Sequence, residues 1–116
     1  MTRSRIVLAA LAAALLVPAV AYAKTTVNGS VGPGFSITLK STTGQTVKTL
    51  KPGVTVFRVN DRSDIHNFHL TGPGVNKATS VTGTGAKTWT VTLKRGTYRF
   101  VCDPHDFSMK GSFKVV

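Results

Sequence analysis

Cys102, His105 and Met109 stand within eight positions near the end of the chain, spaced C-x2-H-x3-M. Cys102 is the only cysteine, and Met109 is the only methionine after Met1. A thiolate, an imidazole and a thioether on one short loop form a donor set that suits copper, with a weak axial methionine completing a trigonal site of two histidines and one cysteine. Each residue alone has a commoner use. A buried cysteine packs as a small hydrophobe, a methionine fills gaps, and a histidine in an Asp-flanked loop is usually solvated. The combination is what points to a metal, and it needs a second histidine from elsewhere.

Two histidines stand in DIHNFHL, Asp64 to Leu70. Strand alternation puts His66, Phe68 and Leu70 on one face and Ile65, Asn67 and His69 on the other. The face with Phe68 and Leu70 is the expected core face, so His66 is the preferred ligand and His69 the alternative. On the other side, Tyr98, Phe100 and Cys102 alternate with Thr97, Arg99 and Val101, which aims Cys102 inward at the end of its strand.

The elements that must position these residues read as strands throughout. Phe35, Ile37 and Leu39 alternate with polar neighbours, as do Trp89, Val91 and Leu93. Turn signals separate such runs: Gly32-Pro33-Gly34, Pro52-Gly53, Gly72-Pro73-Gly74, Gly83-Thr84-Gly85 and Arg95-Gly96. There is no internal repeat and no helical periodicity beyond the N-terminus. The expected class is all-β, a sandwich of about seven or eight short strands.

Arg3 and Arg5, an apolar run from Ile6 to Ala21 and the small-x-small pattern Ala21-Tyr22-Ala23 read as an export signal over residues 1–23. The run of about 16 residues is shorter than the roughly 20 of a spanning helix. Residues 24–116 then form one domain, small but able to hold a core. Without Arg3 and Arg5 that domain keeps 13 Lys plus Arg against 4 Asp, a net charge of +9. A lone cysteine in an oxidising compartment cannot close an internal disulfide, so Cys102 is free, paired between chains, or a ligand.

The tail formed by Tyr98, Phe100, Cys102, Pro104, His105, Met109, Gly111, Phe113 and Val115 resembles the C-terminal signature of the cupredoxins, especially the plastocyanin-like proteins. The pair His66-Asn67 resembles that family's first-ligand motif. The resemblance implies a Greek-key β-sandwich with one type 1 copper ion at one end, bound in plane by His66, Cys102 and His105 and axially by Met109. The three residues between His105 and Met109 depart from the spacings usual in plastocyanins and amicyanins, which bears on the strength of the axial bond. By analogy, the Asn67 amide would donate to the Cys102 sulfur and its side chain would tie the two ligand segments together. Pro104 has no N–H to offer that sulfur. Ile65 and Phe107 are expected to keep water from the metal.

The four acids, Asp61, Asp64, Asp103 and Asp106, all lie beside the proposed ligands, so the copper end is expected to be mildly acidic and the body strongly basic. A basic body favours anionic neighbours such as membrane or wall surfaces. The export signal argues against nucleic acid. No nucleophile triad can be assembled, and the ligand set leaves no open metal position, so no enzyme is expected. Two functions remain: an exported, periplasmic or extracellular monomer carrying single electrons between protein redox partners, or a copper delivery or buffering protein. A chain with one internal Met and three His offers little to the second.

Overall fold

The computed structural model of the chain describes residues 9, 10, 12–14 and 24–116. The export-signal reading over residues 1–23 falls almost wholly outside these, and among the described residues no helix is long and apolar enough to cross a membrane. Nine strands follow: β1 (Thr25–Val31), β2 (Ile37–Ser41), β3 (Thr49–Leu50), β4 (Gly53–Asp61), β5 (His69–Gly72), β6 (Val75–Ala78), β7 (Gly85–Leu93), β8 (Gly96–Val101) and β9 (Lys110–Val115). They form two mixed sheets ordered β2-β1-β4-β7 and β3-β9-β8-β5-β6. The pairs β1/β4 and β3/β9 are parallel and the rest antiparallel.

Period-two alternation explains the packing. Phe57, Val59, Leu93, Tyr98, Phe100, Phe113 and Val115 are buried between the sheets, while their strand neighbours Arg58, Thr92, Thr97, Arg99 and Lys114 are exposed. Aromatic rings carry much of the interior: Phe68 stacks on Phe100 at 5.4 Å and Tyr98 on Phe113 at 5.2 Å. Phe100 faces Gly111 across the β8/β9 ladder, and any side chain there would collide with the ring. Gly111 is therefore part of the same core motif as the aromatics. Between β5 and β6, Pro73 and Gly74 form a two-residue turn, with Gly74 at φ +69 supplying the conformation that an L side chain resists.

The strand count exceeds the expected seven or eight because β3 has only two residues and the hairpin strands β5 and β6 only four each. One alternation reading fails at its start. The alternation places Phe35 on one strand face with Ile37 and Leu39, but β2 begins at Ile37 and Phe35 lies in the loop before it, exposed.

Candidate metal centre

Two loops leave the same end of the sandwich. β4 ends at Asp61 and β5 begins at His69, so His66 lies in the connection between them rather than in a strand. The connection still buries His66, Phe68 and Leu70 together, and Asn67 with them. A side-chain network holds this connection from below. Buried Asp61 accepts from the Ser63 amide at 3.2 Å and the Thr79 hydroxyl at 2.9 Å, and Thr79 Oγ1 in turn accepts from the Phe68 amide at 2.8 Å. The Ile65 amide donates to Ser63 Oγ at 3.3 Å.

The second loop begins where β8 stops, at Val101. Cys102 is extended and fully buried, and a 3-10 turn follows over Asp103–His105, with Pro104 fixing φ at its start. The loop closes on its own backbone: the His105 amide donates to Cys102 O at 3.0 Å, Met109 N to His105 O at 2.8 Å, and Cys102 N to Met109 O at 2.9 Å. Buried Met109 is thus tied through its main chain to both other members of the motif.

These loops bring His66, Cys102 and His105 into one cluster. His66 Nδ1 is 3.1 Å from His105 Nδ1 and 3.6 Å from Cys102 Sγ, and His105 Nδ1 is 3.5 Å from the sulfur. A point equidistant from the three donors lies about 2.0 Å from each, close to metal–imidazole bond lengths and slightly short of metal–thiolate ones. His66 Nε2 is buried without a partner, so Nδ1 is the nitrogen turned to the cluster and Nε2 points away from it. Two imidazoles and one thiolate converging on a single point, with no carboxylate among them, fit copper by donor softness and by trigonal shape.

His69 is not in the cluster. Its Nδ1 donates to both Asp103 carboxylate oxygens at 2.9 and 3.0 Å, and its Nε2 meets Asn76 Oδ1 at 2.6 Å. Burial works against a charge on this ring, but the hydrogen bonds to Asp103 and Asn76 and the Asp103 charge outweigh it and raise the His69 pKa. Burial likewise opposes ionisation of Asp103, yet the bonds from Asn67 and His69 and the His69 charge hold it below the usual aspartate value.

Asn67 joins the two loops: its Nδ2 donates to Asp103 Oδ2 and its Oδ1 accepts the Asp103 amide, both at 2.7 Å. The tie expected of this side chain is present. Its expected amide bond to the sulfur is not formed among the described residues; the sulfur's partners are the two imidazole nitrogens.

A family model, "Copper binding proteins, plastocyanin/azurin family", matches residues 44–116. The chain belongs to that family. Among solved structures, this cupredoxin is similar to reduced rusticyanin, at 19% identity and TM-score 0.57 over 80% of this chain and 79% of the other. Rusticyanin from Thiobacillus ferrooxidans aligns at 22% identity and TM-score 0.56, over 80% and 77% of the two chains. At such identities the likeness concerns the fold. No curated protein sequence matches the chain. Within the cupredoxin fold, His66, Cys102 and His105, with Met109 nearby, form the pattern of a single type 1 copper site.

The residue that sequence reasoning missed here is Phe35. Its ring stands edge-on to both imidazoles, with centroids 5.0 Å from His66 and 5.0 Å from His105. Ile65 and Phe107, of which shielding was expected, are 52% and 75% exposed and stack on neither imidazole; Phe35 is 69% exposed too, but its ring packs against both. The charge layout also changes. Asp61 is buried in the network below His66, and Asp103 is engaged by His69 and Asn67, which leaves Asp64 and Asp106 as the open acids near the site.

Proposed function

We propose that the protein carries single electrons between protein redox partners outside the cytoplasm, on a copper ion that His66, Cys102 and His105 would hold, with Met109 as a further, weaker ligand. The observation that carries this reading is the donor triangle itself, two Nδ1 atoms and Sγ held 3.1 to 3.6 Å apart by loops that are hydrogen-bonded on their own account. Copper bound there supplies one-electron exchange between Cu(I) and Cu(II). The chain contributes donors that already converge, so that little rearrangement accompanies the exchange, and sulfur ligands that favour the reduced ion.

The ligand set leaves no position for a substrate, which speaks for a carrier rather than an enzyme. His105 is the half-buried ligand, and exposed Phe35 lies against it, so an electron leaving through this imidazole meets an apolar surface suited to brief docking. The N-terminal signal pattern supports a periplasmic or extracellular site, and the +9 charge of residues 24–116 supports attraction to anionic membrane or wall surfaces. The test is voltammetry of the copper-loaded protein. A reversible one-electron wave with copper retained in both states is expected; loss of copper on reduction would instead favour delivery or buffering.

A further inference from the structure

The β5/β8 ladder pairs His69 with Val101, the last residue of β8. Beyond it no strand pairing reaches Cys102, Asp103 or His105, so the ligand-bearing turn is anchored to this side of the sandwich by side chains. His69 stands at that point. Nδ1 donates to the Asp103 carboxylate, and Nε2 meets Asn76 Oδ1 on β6 at 2.6 Å, so the ring is braced between the hairpin and the turn. Asp103 opens the 3-10 turn that ends at His105, and its other contacts go to Asn67, next to His66.

We infer that His69 is a positioning residue of the copper centre: by holding Asp103 against β5, it fixes the turn that sets His105 and Cys102 relative to His66. It donates no atom to the cluster. Its effect passes through Asp103, which receives hydrogen bonds from His69 on one side and Asn67 on the other. The inference rests on the copper site proposed above.

The experiment separates this role from a merely structural one in the β5–β6 hairpin. His69→Asn places an amide N–H where Nδ1 stands and keeps the bond to Asp103. His69→Gln reaches where Nε2 stands and keeps the bond to Asn76. Copper affinity is measured by competition for wild type and for His69→Ala, His69→Asn and His69→Gln, alongside the thermal midpoint of each apo-protein.

The alanine and glutamine variants are expected to lose roughly 10-fold or more in affinity, as loss of a group that orients a ligand commonly does. The asparagine variant is expected to recover most of it, and all should keep a thiolate-to-copper band. Recovery by glutamine and not asparagine, or unchanged affinity throughout, would overturn the inference. If alanine prevents folding, the other two decide it. A wild type without a thiolate band would overturn the copper reading itself, an outcome distinct from a blue wild type with indifferent variants.

Discussion

The two ligand-bearing loops are built in opposite ways. The loop that delivers His66 is held from inside, by buried Asp61, Ser63 and Thr79 beneath an imidazole with no exposure. The loop that delivers Cys102 and His105 is held by its own backbone and by the Asn67–Asp103–His69 clasp at the surface, and His105 stays half-buried. The bonds of the interior loop are buried with the core, so water cannot replace them when one is lost. The clasp of the outer loop lies at the surface, and that loop carries the ligand through which a partner would exchange electrons.

The largest effect should come from emptying the buried side. His66→Ala is expected to destroy the thiolate-to-copper band, whereas His69→Ala keeps it, since only the first removes a donor; absorption spectra of the two copper-loaded variants compare them directly. Next, Asp61→Ala leaves the Ser63 amide and Thr79 hydroxyl without their acceptor and should destabilise the apo-protein by about 2 kcal/mol or more. Ser108→Ala, on the exposed side of the outer loop, should change it by less than about 0.5 kcal/mol. Denaturant melts of both would collapse the comparison if the two costs were alike.

A smaller effect is pH-dependent. The His69 pKa is raised on folding, so its contribution to stability is complete below the ordinary value of 6.5 and is lost as pH rises through the folded value. Asp103 works in the other direction, its contribution being present above 3.8 and lost as pH falls through its lowered folded value. The thermal advantage of the wild-type apo-protein over His69→Gln should therefore be widest between those limits and shrink on the alkaline side. A constant gap from pH 5 to 9 would show that the pair does not form.

The smallest effect concerns docking. Asp106→Asn should speed electron exchange with an acidic partner and slow it with a basic one by about twofold at low salt, since a rim charge acts mainly on encounter. Both changes should fade as salt shortens the screening length to about 8 Å. Asp103 is unsuited to this test, because its carboxylate is part of the clasp.

Much of the site was legible because its logic is local. Tyr98, Phe100 and Cys102 alternate strictly, and period two carries Cys102 inward without any knowledge of the fold. His66 was reached by the same parity although it lies outside a strand, and it is buried with Phe68 and Leu70 as that parity requires. Asn67 breaks that parity, being buried by its bonds to Asp103. What could not be read depends on pairing between distant segments. Nothing near Phe35 signals two imidazoles waiting for a ring, and its alternation with Ile37 points to the core. His69 and Asp103 each look like solvated polar residues until β5 is set beside β8. The short strand β3 has too few residues for any period to show.

The central claim is that His66, Cys102 and His105 hold a copper ion through a thiolate bond, and the visible spectrum of the protein with one equivalent of Cu(II) tests it most directly. An intense blue or green band is expected, bleached reversibly by reductant and absent in Cys102→Ser. A wild type that binds copper yet stays pale, or a Cys102→Ser variant that keeps the colour, would contradict it.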